Sequence, residues 1–548
     1  MGLLETFEQN CQSAATTAEK RLLSLVRDNE NTEYGQKRGF SSITSLQDYK
    51  SRVPLTDFDD YAADVDRMLH GEKDVLTAYP IAFYARTTGT AGASKLIPVS
   101  DRGAKVDFVY SALGHEAYDV YSVDHPKTMP KSPKSLLLAT ATAEHAPDGT
   151  LVTTFTGKLF LETKQAISHA AVRPELIFSH DVTDRTYLQA FYALKERDIV
   201  NIAAAFMSTV GDLLCYIEKN WERLCKDIED GVLRPDGSMS QTLVEQFNAE
   251  LTPDPERAEE LRAIFTQGFE RPVLGKMWPS LRYIAAVGAG SFEPYTRIVQ
   301  RFTGDEVPLY QSIYGASEGL FAAAIEMNKA EYVLIPEAGH FEFIPEDEVD
   351  LPEAELRNRA LEMNELCPGK KYEIVLTNLS GFYRYRIGDV ITVLGYHGEA
   401  PVICFSYRRN QVLSIAGEKT TEQMIQRAMD RLKERAGIGI VEWSAFADYS
   451  TSPARYVMFI EPEGEVTDKD ELRDILEEEL ADIHEFYGHF INDGVLGPMK
   501  LVLLQPQTYA LYRDIRIWNG ANPNQLKPVH VINNPRKEAF FQALKMFS

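Results

Sequence analysis

Cysteine is scarce and spaced for neither of its usual structural uses. The 548 residues hold five, Cys11, Cys215, Cys225, Cys367 and Cys404, an odd number with no CxxC pair. That argues against a disulfide framework or a zinc cluster and for a reducing compartment. The 11 histidines are scattered, and the one suggestive cluster, HEFYGH (484–489), reads HExxxH. On a helix its two histidines would stand about 140° apart and could not share a zinc, so no structural metal is expected. GxxxxGK[ST] and GxSxG are absent, which removes a Walker loop and a hydrolase nucleophile elbow. Positive charge is also short: 57 Lys and Arg against 81 Asp and Glu leave a net charge of −24. Such a surface repels phosphate backbones and anionic lipid, so neither nucleic acid nor membrane is expected as a partner. The most apolar long stretch, IVNIAAAFMSTVGDLLCYI (199–217), carries Asn201 and Asp212 and reads as a buried helix rather than a membrane span. MGLLETFEQN has no basic n-region and meets acid at Glu5, unlike a secretory signal. Gly2 and Thr6 fit the loose myristoylation pattern, but nothing basic follows to supply a second membrane signal. The expectation is a soluble cytoplasmic protein, and a monomer.

What is present alternates between helical and strand patterns. Residues 1–75 look helical, with turns such as TEYGQKRGF. IAFYART, SLLLATATA (135–143), LRYIAAVGAG (281–290) and VPLYQSIYGASEG (307–319) read as short apolar strands, several running into glycine turns. NIAAAFMSTVGDLLCYIEKNWERLCKDIEDG reads as one long helix stopped by Gly231. Residues 371–396 alternate like an antiparallel meander. After SYRRNQVLSIAGEKT (406–420) comes a smaller α/β pattern, with helices at 421–435 and 468–490 and strands in VEWSAFADY, RYVMFIEP and KLVLLQP. The domains expected are a large one over 1–408, a hinge at 409–413 and a small one over 414–548, in an α/β architecture.

Four stretches could carry chemistry. ARTTGTAGASKLIP (85–98) offers glycine turns, Thr87, Thr88 and Thr90 hydroxyls and the Lys95 charge. These could cradle a polyphosphate, although alone the stretch reads first as a surface turn. VGAGSF (287–292) lacks the third glycine of a dinucleotide fingerprint, so it is a strand-end turn able to pass close to a flat ligand. In YGASEG (314–319), Glu318 is either a strand-end carboxylate for Mg²⁺ or the first turn of a helix capped by Ser317. In YRYRIGDV (383–390), Asp389 either accepts two ribose hydroxyls or pairs with Arg384 or Arg386.

The order of these stretches, with a basic hinge and a small domain after them, resembles the adenylate-forming superfamily. More narrowly the chain resembles the Gretchen Hagen family of acyl acid–amido synthetases. The likeness runs through TEYGQKRGF, VPLTDFDDYAADVDRMLHGEKDVLTAYPIAFYARTTGTAGASKLIP, FMSTVGDLLCYIEKNWERLCKDIEDG, YGASEG, FYRYRIGDVITVLGYHGEAP, RRNQVLSIAGEKT and NGANPNQLKP. The resemblance implies a large adenylate-forming domain of mixed sheets with flanking helices and a small barrel-like part, plus a small mobile α/β domain. It implies that Thr87, Thr88, Gly89, Thr90, Gly92 and Lys95 form the phosphate loop, and that Gly288, Ala289, Gly290 and Ser291 turn past the adenine. Tyr314, Ser317 and Glu318 would line the nucleotide, with Glu318 the Mg²⁺ partner. Asp389 would hold the ribose, Arg408 would lie at the hinge, Lys419 would reach the phosphate and Lys527 would come from the small domain. Departures are Thr-Thr for the usual Ser-Ser, Ala91 for a hydroxyl residue, Ser94 for a proline of the wider superfamily, and NQLKPVHV where the family usually has NQYKxPR.

The activity implied is ATP-dependent joining of a carboxylic acid to an amine, an amino acid above all, through an acyl-AMP. An adenylate-forming ligase using coenzyme A, or an inactive adenylate-binding regulator, are the alternatives. Retention of Lys95, Glu318, Asp389 and Lys419 speaks against the last. The acyl pocket would lie among the 108–123 helix, residues near 151–180 and VLIPEAGHFEFIP, with Phe108, Tyr118, Tyr121, His340 and Phe341 as candidates beside an ordinary core role.

Overall fold

The computed structural model describes residues 2–87, 95–141, 143–162, 168–179, 182, 184–235, 239–349, 351–409, 412–415, 418, 420–451, 453–492, 495–519, 521, 526–532 and 535–546. The fold is mixed α/β, and the chain divides into two units. One takes Met1–Thr87, Leu96–Ile387 and Ile391–Phe405; the other takes Gly388–Val390 and Ser406–Ser548, together with Lys95.

The first unit begins with helices, as the sequence of residues 1–75 suggested: Leu3–Cys11, Ala14–Asp28, Glu33–Arg38, Leu46–Arg52 and Ala62–Leu69. Thr32 and Ser45 cap two of them through side-chain oxygens that accept from Gly35 and Asp48 backbone N–H groups. These helices bury Leu22, Leu25, Tyr49 and Val65 against a four-stranded sheet built on Ile81–Arg86 and Leu96–Ser100. Those two strands pair antiparallel with Arg86 opposite Leu96, so residues 87–95 connect them.

A second four-stranded sheet holds Lys134–Leu138, Ile199–Phe206, Tyr283–Val287 and Leu309–Tyr310 side by side, all parallel. Here the long-helix reading of 199–230 is corrected. Ile199–Phe206 is a strand, and the helix is Met207–Asp230, ending at Gly231. A strand inside a parallel sheet is apolar on both faces and so lacks the alternation that marks a half-buried one.

The small barrel-like part expected of this unit takes the form of an open seven-stranded sheet. Its order is Gly339–Pro345, Lys371–Asn378, Tyr385–His397, Ala400–Arg408, Tyr332–Leu334, Gly319–Ala323 and Ile313–Ala316. The expected 108–123 helix is two helices, Asp101–Ser111 and Leu113–Tyr121.

In the second unit a three-stranded sheet, Ile440–Asp448, Arg455–Pro462 and Gly497–Leu503, packs against Glu422–Ala436 and Lys469–Ile483. The helix expected over 468–490 breaks at His484. Its ring bonds the Glu418 carbonyl at 2.7 Å, and Glu485–Asn492 follows as a separate helix. Burial drives the His484 pKa down. Among the described residues no helix is long and apolar enough to cross a membrane.

Candidate functional site

Parallel sheets place ligands beyond the carboxyl ends of their strands, where the following loops are free to vary. Two of the singled-out motifs lie there. Tyr283–Val287 ends at Gly288, and Leu309–Tyr310 leads through Gln311 into Tyr314. The Gly288 N–H donates to the Gln311 side-chain oxygen at 2.8 Å, which ties the two turns together. A Cβ at Gly288 would fall 2.2 Å from the Thr296 hydroxyl and 2.8 Å from Met207, so only glycine fits. Gly290 has φ +62°, in the left-handed region, and a Cβ there would meet the Phe405 ring at 3.0 Å. Phe405 in turn lies 6.1 Å from the Tyr314 ring. The turn of Gly288, Ala289 and Gly290 thus meets one aromatic ring, Phe405, which itself neighbours Tyr314. Such walls suit a flat heterocycle. Ser291 follows in a 3-10 turn, Gly290–Phe292, and its side chain lies outside the described residues.

YGASEG takes the strand-end form of the two local structures its sequence allowed, and not the helix start. Ile313–Ala316 and Gly319–Ala323 form an antiparallel hairpin with Ala316 opposite Gly319, so Ser317 and Glu318 are its turn. No helix starts at Ser317. Glu318 is half-buried, and its carboxylate accepts from the Tyr385 hydroxyl at 3.0 Å. Its backbone carbonyl accepts from Asn378 Nδ2 at 3.0 Å. On the far strand of the hairpin the Leu320 N–H donates to Asp107 Oδ1 at 2.9 Å. Burial pushes the Asp107 carboxyl up to about 7, against the pull of that N–H.

Among the described residues no three His, Cys, Asp or Glu side chains group as a metal cage. A partly solvated carboxylate oriented by a hydroxyl fits Mg²⁺ of the kind that arrives with phosphates. That ion keeps waters and takes one or two carboxylates plus substrate oxygens.

Asp389 belongs to the second unit. It is 2% exposed and pairs with the Arg408 guanidinium rather than with Arg384 or Arg386, which corrects both partners weighed from sequence. Arg384 is held by Glu342 and Arg386 by Glu373. Arg408 is the last residue of a strand, Ala400–Arg408. Lys527 is half-buried, and its carbonyl accepts from Arg516 at 3.1 Å. Thr87 and exposed Lys95 flank the phosphate-loop candidate. Thr88, Gly89, Thr90, Gly92 and Lys419 lie outside the described residues.

The acyl-pocket candidates separate. Phe108, Tyr118 and Tyr121 share the helix pair 101–121. Phe108 is 43% exposed, and Tyr121 stacks on His125 at 4.1 Å. Tyr118 is buried beneath the Arg282 guanidinium, 4.1 Å from its ring centre, and against Tyr283. His340 and Phe341 are corrected. As neighbours in one strand they point to opposite faces, so they cannot wall one pocket. His340 packs on Tyr49 and Glu362, and Phe341 is wholly buried against Phe321.

Sequence reading missed Tyr385, Gln311, Phe405 and Asp107. Tyr385 had a signal, since it lies within YRYRIGDV. Gln311 lies within VPLYQSIYGASEG but was not marked there, and Phe405 and Asp107 stand outside every motif, so only the fold brings them to the glycine turn and the hairpin.

Along its length the chain matches the GH3 family N-terminal domain over residues 3–309, the central domain over 332–408 and the C-terminal domain over 423–536. It is 28% identical to the indole-3-acetic acid-amido synthetase GH3.8 of Oryza sativa subsp. indica, covering 94% of this chain and 88% of that one. It is 27% identical to the jasmonoyl–L-amino acid synthetase GH3.5 of Oryza sativa subsp. japonica, covering 97% and 94%. The solved GH3.15 acyl acid amido synthetase superposes with a TM-score of 0.82 at 24% identity, over 100% of this chain and 97% of the other.

Proposed function

Since the chain belongs to the GH3 family, we propose that it is an ATP-dependent acyl acid–amido synthetase that joins a carboxylic acid to an amino acid. The observation that carries the reading is the hairpin of Ile313–Ala316 and Gly319–Ala323 with its Ser317–Glu318 turn. It holds an aromatic ring, a hydroxyl and a hydroxyl-bound carboxylate just beyond the end of a parallel sheet.

A carboxylate is a poor acyl donor because its charge repels nucleophiles and its leaving group is bad. In the first half-reaction a carboxylate oxygen attacks the α-phosphorus of ATP. The bond to the β-phosphate oxygen breaks, giving acyl-AMP and pyrophosphate. In the second, the amine nitrogen attacks the acyl carbon, the C–O bond to AMP breaks, and the nitrogen releases a proton. The first step brings two anions together. At about 4 Å and an effective dielectric near 20, one such charge pair is worth roughly 4 kcal/mol. Preorganised positive charge offsets this repulsion, a role assigned to Lys95, Lys419 and the donors of Thr87, Thr88, Gly89, Thr90 and Gly92.

Glu318 would hold Mg²⁺, with its carboxylate oriented by Tyr385. The ion supplies charge neutralisation at the phosphates. Gly288 to Ser291 and Tyr314 would bound the adenine, and Ser317 would line the nucleotide. Asp389 would accept the ribose hydroxyls while Arg408 holds its carboxylate in place. Lys527 would serve from a small domain beginning at 414 that turns about a 409–413 hinge between half-reactions. Phe108, Tyr118 and Tyr121 would bound an acyl group. Relatives named for indole-3-acetic and jasmonic acid conjugation support a flat or cyclic acid. The protein would act as a cytoplasmic monomer.

The test is pyrophosphate release from ATP and Mg²⁺ with a panel of acids that includes those two, in the presence of amino acids or coenzyme A. Acid-dependent release with amide formed from an amino acid is expected. Stimulation by coenzyme A alone, with thioester as product, would replace this reading.

A further inference from the structure

We infer that His530 is a positioning residue for Lys527, an assignment that rests on the acyl-adenylate reading above. Residues 529–532 run parallel along the edge of the three-stranded sheet, beside Ile440–Asp448. The Ala445 N–H donates to the His530 carbonyl at 2.6 Å, and the Ile532 N–H donates to the Ala445 carbonyl at 2.8 Å. The Ser444 hydroxyl donates to the Val529 carbonyl. These bonds fix where the segment lies, and the His530 side chain locks it. Its ring stacks on Trp443 with centroids 4.1 Å apart and planes 5° from parallel. Nε2 is 3.0 Å from Glu442 Oε1, and Nδ1 is 3.9 Å from Glu422 Oε2. Trp443 is itself tied by its indole N–H to the Gln426 side chain at 2.7 Å.

Burial alone would strip the imidazole of its proton. Glu442 and then Glu422 outweigh that and raise its pKa to about 10, so the ring is a cation at neutral pH. A buried ion triad is a poor route to stability, because apolar residues of the same shape commonly hold a core as well. Its return is a single allowed placement. With a neutral side chain the backbone bonds alone would hold the segment, whereas a cation paired with Glu442 and Glu422 adds a second, directional hold.

Lys527 lies three residues before His530, a reach of about 10 Å at full extension. Between the Arg516 bond at its own carbonyl and this lock, the Lys527 backbone has little freedom left.

The test is a double-mutant cycle on the full chain with His530→Gln, Lys527→Ala and the pair, reading acid-dependent pyrophosphate release and, separately, amide formation from supplied acyl-AMP. His530→Gln is expected to lower kcat at least about tenfold in the half-reaction that Lys527→Ala impairs, leaving KM for ATP within about twofold, and the pair to be no slower than Lys527→Ala alone. Multiplying effects, or a His530→Gln kcat within about twofold of wild type, would overturn the inference. So would a Lys527→Ala enzyme of normal rate, which leaves the acyl-adenylate reading standing. Where the wild type releases no pyrophosphate, that reading fails by itself. Amide hydrogen exchange then decides the positioning: His530→Gln must speed exchange over 526–532 and spare 455–462, and an unchanged 526–532 rejects it. If His530→Gln does not fold, Glu442→Gln takes its place in both measurements.

Discussion

The Tyr385 hydroxyl donates to Glu318 Oε1 at 3.0 Å, across 67 positions of sequence. It joins a strand of the seven-stranded sheet to the turn of a hairpin in the same sheet, at the carboxylate assigned to Mg²⁺. A hydrogen bond to a charged group contributes about 1.5–3 kcal/mol. Tyr385→Phe keeps the ring and removes the bond, so the carboxylate loses its orientation while the core keeps its shape. The Mg²⁺ concentration for half-maximal pyrophosphate release should rise at least about tenfold, with Tm changed by only a few degrees. An unaltered Mg²⁺ dependence would remove Glu318 from the metal site.

Asp107 makes a pH-dependent contribution on the other strand of that hairpin. Its pKa rises from 3.8 to about 7 because burial penalises the charged form. For an acid shifted upward, the folded state is favoured while the group is protonated. That share of stability is complete below about pH 3.8 and is lost as pH climbs through 7. Asp107→Asn stays neutral, and its side-chain carbonyl can still accept the Leu320 N–H. The variant should therefore match wild type below about pH 4 and exceed it by a margin in Tm that grows from there to about pH 7, with a ceiling of roughly 4 kcal/mol. A margin that is flat across pH, or larger at pH 4 than at pH 7, would show that Asp107 is not the titrating group.

How legible this was varied by element for identifiable reasons. Ile81–Arg86, Tyr283–Val287 and Arg455–Pro462 are short runs of apolar and aromatic residues between turn residues, and each was readable as a strand. Ile199–Phe206 was not, because a strand covered on both faces has the composition of a buried helix. Asp389 could be singled out, but not its partner. Arg408 comes from the neighbouring strand 19 residues on, and register between strands is set by the fold. The separation of His340 from Phe341 was in the sequence all along, since adjacent residues of a strand always face opposite ways. Asp107 carries no local mark, and only packing reveals a carboxylate beneath the hairpin.

Arg384 fixes the segment that delivers Tyr385. It is wholly buried, binds Glu342 through both Nε and Nη2 at 2.8 Å, and donates to the carbonyls of Lys50, Val53 and Arg357. Its φ of +49° is a conformation that side chains resist, so these contacts must outweigh backbone strain. Arg384→Met leaves Glu342 buried without its partner and should lower unfolding free energy by about 3–5 kcal/mol in urea titrations. Adding Glu342→Met removes the orphan charge and should recover part of the loss. A double variant weaker than Arg384→Met would mean that Lys50, 3.7 Å from Glu342, already compensates the carboxylate.

His530 should make the second unit sensitive to alkali. Its pKa of about 10 stands above the ordinary 6.5 of imidazole, opposite to Asp107 in the charge involved but alike in being raised and in losing its contribution as pH climbs. The stability that Glu442 and Glu422 gain from the cation is complete below about pH 6.5. It drains as pH rises through 10, where the folded-state proton departs. His530→Gln never has this contribution. Lysine and tyrosine side chains also titrate near pH 10, but they do so in both proteins and cancel in the difference. The Tm gap between wild type and His530→Gln should therefore be widest near pH 6 and narrow steadily toward pH 10. A gap that holds constant over that range would mean that stacking on Trp443, rather than charge, fastens the segment to the sheet.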